Sequence, residues 1–325
     1  MSKKTYNEDV LDEFNNKFNT QHTEDIEDRP QQRSLGKVDF GGNVSMKSDD
    51  MLGYIDLPFD SLPSKGMFYP DDMSIAIRAA SVREIRDFSI IDSNNPKDVA
   101  DRTNMLISGC VRVMKGNMPL SYKEILECDK LMVLLHVRAL TFESGLSSIK
   151  IPVSKGNCTN VGCDFEGEIP LDFSMVELKE FKSDSVLMRY YDRDMKCFNV
   201  KTKNYGEFQI KMPTIGTSEY VLNWIYVNQN KKWDKAIIPL LTYFVDYKQR
   251  PDLFRKAVEA ESWGIKKFEL IHRLVEQMTE SIGIAENFKA VCPECGGDMK
   301  IPFQIVGGLK SLFVESVHDI LDELV

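Results

Sequence analysis

The 325-residue chain has no apolar run approaching the roughly 18 residues that a membrane-spanning helix needs. It also lacks a basic surplus, since 50 acidic residues against 41 Lys and Arg leave a formal charge of −9. Bulk binding to nucleic-acid phosphates and docking on anionic bilayers both rely on the opposite balance. No GxGxxG or GxxxxGK[ST] pattern offers a phosphate cradle, and no HExxH offers a catalytic zinc. Histidine is scarce: His22, His136, His272 and His318 show no metal-ligand spacing. His136 and His272 lie within apolar helical patterns, where a packed imidazole is the expected role. The acidic pairs Asp49-Asp50 and Asp71-Asp72 sit in turn-like stretches and read as solvated loops. Met1 to Asn16 is polar and charged, unlike a secretory leader. Nothing in these patterns calls for an enzyme.

What the chain does have is cysteine in an uneven arrangement. Seven cysteines, an odd number, fit a reducing compartment better than a disulfide framework. Cys110, Cys128 and Cys197 stand alone, and the first two fall in apolar helical patterns that suggest core packing. The other four form two pairs, Cys158-x4-Cys163 and Cys292-x2-Cys295. Pro293 between the second pair and Gly296-Gly297 after it make a knuckle that can aim both sulfurs at one ion. Each pair is followed by a turn and then a strand ending Ile-Pro-apolar: Ile169-Pro170-Leu171 and Ile301-Pro302-Phe303. Two matching half-sites predict one structural zinc held by Cys158, Cys163, Cys292 and Cys295, with no open position for catalysis. A metal-free remnant and a redox dithiol are the competing readings. Redox pairs sit at helix N-termini, whereas this pair precedes a strand. Asp164, Glu166, Glu168, Glu294 and Asp298 outweigh Lys155, Lys289 and Lys300 around the knuckles, so no phosphate-facing surface is expected there.

The pattern predicts an α+β protein. Residues 1–50 are polar and acidic, and read as a disordered arm with one short amphipathic stretch at Val10, Leu11, Phe14 and Phe18. Residues 51–145 read as a helix-rich N-terminal domain. It has a strand at Ser74–Arg78 and a helix opened by a Ser81/Glu84 capping box. A helix from about Asp98 to Met114 follows, and then a long buried helix opened by Ser121/Glu124. Residues 146–175 and 288–306 form the discontinuous zinc-ribbon-like module. It encloses an insertion at 176–287, which begins with a short helix capped by Ser174/Glu177. A hairpin about Asn204-Tyr205-Gly206 comes next, followed by helices from Ser218 to Ile282. Residues 307–325 read as a C-terminal amphipathic helix with Leu309, Leu312, Phe313, Val317, Ile320, Leu321 and Leu324 on one face. That face can pack on the body of the protein or dock on a partner.

One segment is unusually specific: Leu62-Pro63-Ser64-Lys65-Gly66-Met67-Phe68-Tyr69-Pro70, a turn fixed by two prolines with a glycine free to take positive φ. It is followed by the strand, the capped helix, the run Arg138-Ala139-Leu140-Thr141-Phe142-Glu143-Ser144-Gly145, and the Cys158/Cys163 knuckle leading into Ile169–Phe173. In these features, over roughly residues 57 to 175, the chain resembles the baseplate hub assembly proteins of T-even-type tailed bacteriophages. The resemblance implies a chaperone-like assembly factor or minor hub component. Its partners would be phage baseplate hub proteins, met in the host cytoplasm and possibly retained in the virion tail. The acidic composition leads to the expectation of no membrane or nucleic-acid partner. A zinc-ribbon nucleic-acid-binding regulator is the alternative from another class, and a CxxC redox enzyme a third.

Overall fold

The structure, a computed structural model, describes residues 53–179, 186–230, 236–305 and 308–313. The expected N-terminal arm lies outside these residues, and so does the greater part of the expected C-terminal helix. Among the described residues the fold is mixed α+β, with seven α-helices and four small antiparallel sheets.

The first sheet runs in chain order: β1 (Ile55–Asp56), β2 (Met73–Ile77), β3 (Val111–Lys115) and β4 (Met118–Leu120). Between β2 and β3 lie α1 (Val82–Ser89) and α2 (Pro96–Cys110). Ser81 and Glu84 close the expected capping box on α1. Asn95 caps α2, with Pro96 in its first turn where a missing N–H is harmless. The helix expected through Met114 ends at Cys110 instead. Val111 and Val113 are buried and Arg112 is exposed, a period of two that belongs to a strand and pairs with β2 as Ile75↔Val113.

The long helix expected from Ser121 also starts later. Tyr122–Glu124 is a single 3₁₀ turn, and α3 spans Lys130–Thr141. The intervening chain is extended because its backbone is engaged elsewhere. Glu127 N–H donates to Pro213 O (2.9 Å), and Ile215 N–H donates to Ile125 O (2.7 Å). Glu124 does not reach back to a cap; its carboxylate accepts from Tyr247 and from Lys248 Nζ (2.7 Å). α3 is buried continuously from Met132 to Arg138, as its apolar sequence predicts.

The cysteine segments form two hairpins. β5 (Lys150–Val153) pairs with β6 (Gly167–Pro170), and β10 (Asn287–Val291) pairs with β11 (Asp298–Pro302). Between them, the helix expected at Ser174 is only a 3₁₀ turn, Phe173–Met175, capped by Asp172. Glu177 pairs with Lys289 (2.7 Å) in place of a capping role. A three-stranded sheet follows, β7 (Tyr191–Asp192), β8 (Cys197–Thr202) and β9 (Gly206–Ile210), with the expected hairpin closing as Thr202↔Gly206. Then come α4 (Ile215–Val227), α5 (Ile237–Leu240), α6 (Leu253–Glu261) and α7 (Gly264–Ser281). Val221, Ile238, Leu241, Leu253 and Ala257 make a small separate core for α4 to α6.

The principal core is continuous from Leu57 to Phe313 and includes residues of β2, β3, α3, β5, β8, α7, β10 and β11. Of the expected C-terminal helix, Gly308–Leu312 is a 3₁₀ turn and residues 314–325 lie outside the described residues. Leu312 and Phe313 are buried, and Phe313 meets Phe88 edge-on with ring centroids 5.3 Å apart.

Candidate metal centre

Each cysteine pair sits in the connection of one hairpin, so the strands fix the knuckles. In the first hairpin, Ile151, Val153 and Ile169 alternate inward and hold it on the core. In the second, Phe288, Met299 and Ile301 do the same. The two hairpins are joined at the knuckles. Cys158 bridges antiparallel to Met299, Thr159 N–H donates to Asp298 O (2.9 Å), and Lys300 N–H donates to Asn157 O (2.9 Å). The Asn157 side-chain amide donates to Lys300 O (3.0 Å). The first knuckle thus runs as an extra strand along β11, which carries the thiols of residues far apart in sequence to one point.

The Sγ atoms of Cys158, Cys163, Cys292 and Cys295 all lie within 4.8 Å of one another. Cys158 and Cys295 are 3.4 Å apart, and Cys163 and Cys292 are 3.7 Å apart. Four thiolates at about 2.3 Å from a tetrahedral ion sit about 3.8 Å from each other, so the cluster has the dimensions of a four-sulfur metal site. Its donor set suits a soft or borderline ion. Cys292 is buried, Cys295 is exposed, and the other two are between.

Local sequence explains the knuckle. Gly296 takes φ +71°, and Cys292 N–H and Gly297 O close the turn at 2.8 Å. A Cβ on Gly297 would stand 2.5 Å from the Asn160 amide nitrogen, and that same nitrogen approaches Cys295 Sγ at 3.4 Å. Only glycine leaves room for this contact between knuckles. Backbone N–H groups of Gly297, Asn160 and Phe165 face Cys295, Cys158 and Cys163 respectively. Such donors stabilise thiolates and orient them. The Gly297 N–H, helped by the Cys158 thiol, lowers Cys295 to about 6. At Cys163 the Phe165 N–H acts in the same direction, but the neighbouring thiols and burial outweigh it and push the group up to about 12. At Cys158 the Asn160 N–H is likewise outweighed, by burial and Cys295, and its thiol is also raised. One thiolate among four sulfurs therefore suppresses the next, a restriction that a bound cation removes.

All four sequence-predicted ligands come together. The solitary cysteines do not join them. Burial, followed by Glu84, raises Cys110 to about 12, and burial, followed by Asp129, raises Cys128 well above the ordinary thiol. His136 is buried and stacks on Phe173 at 4.5 Å, and burial lowers it to about 4. His272 lies on an exposed face beside Glu276 (3.3 Å).

A second constellation escapes the sequence reading. Asp129 is fully buried and organises the Leu62–Pro70 turn. Its carboxylate accepts from Ser64 N–H (2.8 Å), Ser64 Oγ–H (2.6 Å) and the Tyr69 hydroxyl (2.8 Å). The Tyr69 hydroxyl in turn accepts from Leu126 N–H (2.9 Å). Burial raises Asp129 above the usual carboxylate range despite these donors. Lys65 and Gly66 take positive φ (47° and 78°), and the Gly66 Cα hydrogens face the Phe59 ring, which stacks on Tyr69 at 4.9 Å. The signal in the sequence is an acid, Asp129, following Glu127 at the threshold of an apolar helix. Its partner, 65 residues earlier, cannot be read from spacing.

No described helix is long and apolar enough to cross a membrane. Comparison of the chain with protein families, curated proteins and solved structures gives no match.

Proposed function

We propose that the protein is an assembly factor or minor component of a bacteriophage tail baseplate hub, acting through protein–protein contacts in the host cytoplasm. The observation that carries this reading is the Leu62–Pro70 turn, whose resemblance to hub assembly proteins is the most specific feature of the chain. Its Ser64 and Tyr69 hold Asp129 and its Gly66 packs against Phe59, so the turn is a built element and the residues that carry the resemblance have a physical role. In the same reading Cys158, Cys163, Cys292 and Cys295 hold one structural zinc in a zinc-ribbon-like module. Zinc would supply the positive charge that lets four adjacent thiols ionise together, and would tie positions 137 and 129 residues apart.

A tagged copy recovered from infected cells is expected to bring hub proteins with it by mass spectrometry, and purified virions analysed alongside show whether it stays in the tail. Recovery of nucleic acid or transcription machinery, with retention on heparin at low salt, would favour the zinc-ribbon regulator instead. The acidic residues around the knuckles argue against that outcome.

A further inference from the structure

The four clustered cysteines are not equally placed. Cys295 is exposed, Cys292 is 1% exposed, and Cys158 and Cys163 lie between. Cys158 meets Cys295 at 3.4 Å and Cys163 meets Cys292 at 3.7 Å, so each contact joins one knuckle to the other. The backbone fixes this arrangement. Cys292 N–H donates to Gly297 O (2.8 Å) and Gly296 N–H donates to Cys292 O (2.9 Å), a closed turn with one thiol in the core and the other outside. The Asn160 side-chain amide, 3.4 Å from Cys295 Sγ, ties the outer thiol to the first knuckle. Thr159 N–H to Asp298 O and Lys300 N–H to Asn157 O hold the chain on both sides of Cys158 against β11. Cys158 and Cys295 thus face each other across a junction that is already hydrogen-bonded, and one of the two meets solvent. An accessible thiol with a second sulfur in contact is the arrangement in which oxidation proceeds to a disulfide.

We propose that Cys295 is an oxidation site for hydrogen peroxide and that Cys158 resolves it, giving a disulfide that joins the two knuckles. The Cys295 sulfur attacks the peroxide: an S–O bond forms, the O–O bond breaks, and the departing hydroxide takes up the thiol proton as water. The Cys158 sulfur then attacks the Cys295 sulfur. The S–S bond forms, the S–O bond breaks, and the oxygen leaves with the Cys158 proton as a second water. Two thiols lose two electrons, and one peroxide becomes two waters. The CxxC pair itself does not close, because Cys292 points into the core while Cys295 faces the other knuckle. The bond takes two of the four sulfurs, so an ion held by the cluster leaves. That consequence rests on the zinc reading; the choice of sulfurs does not. The hairpins stay joined, so the module has two closed forms, one tied by an ion and one by a covalent bond.

The test uses the full chain, purified under reduction and then exposed to hydrogen peroxide. Remaining thiols are alkylated, linked peptides are identified by mass spectrometry, and zinc release is followed with a chromogenic chelator. Cys158 and Cys295 are expected to be lost to alkylation at least about tenfold faster than the buried Cys110 and Cys197, as a Cys158–Cys295 linkage. In Cys158→Ser the reaction should stop at a Cys295 sulfenic acid, trapped by a cyclic 1,3-dione. Hydrogen exchange in β5–β6 and β10–β11 should stay low in the oxidised chain. A first linkage within either knuckle overturns the proposal, as does oxidation of Cys295 no faster than that of Cys110. Opening of the hairpins on oxidation overturns the second closed form. Zinc-free protein that still forms the Cys158–Cys295 bond refutes the zinc reading and supports the proposal. Zinc-loaded protein that forms no such bond does the reverse.

Discussion

Asp129 shows how one residue can define a turn. A carboxylate out of water is costly unless its oxygens are satisfied, and here three donors from the Leu62–Pro70 segment do so. The donors are not equivalent. Ser64→Ala removes one hydrogen bond to a charged group and leaves the backbone donor of the same residue in place; it also removes the acceptor of the Gly66 N–H (3.2 Å), which is half-buried and within reach of water. Tyr69→Phe removes a donor to Asp129 and also strands the buried Leu126 N–H. Urea denaturation is expected to show a loss of about 1.5–3 kcal/mol for Ser64→Ala and a larger one for Tyr69→Phe. Equal losses would mean that the Leu126 N–H finds another acceptor. The turn itself was legible from its prolines and glycine. The acid it wraps was not, because a buried hydrogen-bonded partner leaves no periodic trace in sequence.

At the scale of elements, the same contrast separates the hairpins from the helices. The two knuckles were readable because metal-ligand spacing, glycine and a following strand are all local signals, and each hairpin forms where those signals fall. Capping boxes were less dependable. Ser81/Glu84 opens α1 because Glu84 also takes a bidentate pair from Arg78 (2.6 and 3.0 Å), which fixes it at the helix start. Ser121 opens only a 3₁₀ turn and Ser174 lies inside another that Asp172 caps, since Glu124 and Glu177 are drawn to Lys248 and Lys289. Those partners lie 124 and 112 residues away, beyond any local pattern. The cysteine module then makes a prediction of its own. Protein purified under reduction without chelator is expected to carry one zinc per chain by elemental analysis, and Cys295→Ser is expected to lose it. Hydrogen exchange should rise first in β5–β6 and β10–β11 and leave α1 to α3 protected. Loss of protection in α3 at the same time would show that the metal governs the whole core.

For the whole molecule, two buried ionisable groups shape the pH dependence in opposite directions. His136 is held neutral by burial, with its folded value lowered from 6.5 to about 4. The unfolded chain therefore binds a proton that the folded one refuses between these limits, and stability falls as pH drops from 6.5 to 4, by about 3 kcal/mol when complete. Asp129 is raised, so the folded form takes up its proton first and the same acidification relieves its burial. The acid limb is thus expected to be governed by His136, with Asp129 partly offsetting it. Denaturant melts across this range should give a shallower acid limb for His136→Gln than for the unaltered protein. Thiol protonation at the knuckles acts equally on both proteins and cancels in the difference. An unchanged slope would show that His136 titrates normally in the folded state. The α+β class and the order of segments were visible in composition and periodicity. The sharing of one core between β8, β10 and Phe313 was not, since it depends on which faces meet.

The distance in sequence between the knuckles has a consequence for how the protein is made. During synthesis Cys163 leaves the ribosome 129 residues before Cys292. At about 5–20 residues per second, that is an interval of roughly ten seconds. Throughout it the first hairpin exists as half a site, with two thiols and the edge that β11 will later occupy. Nascent chains halted anywhere before residue 295 cannot complete the cluster, however well their N-terminal helices have formed. The cysteine pairs thereby act as a length check, and only a chain that has passed both knuckles can present a finished surface.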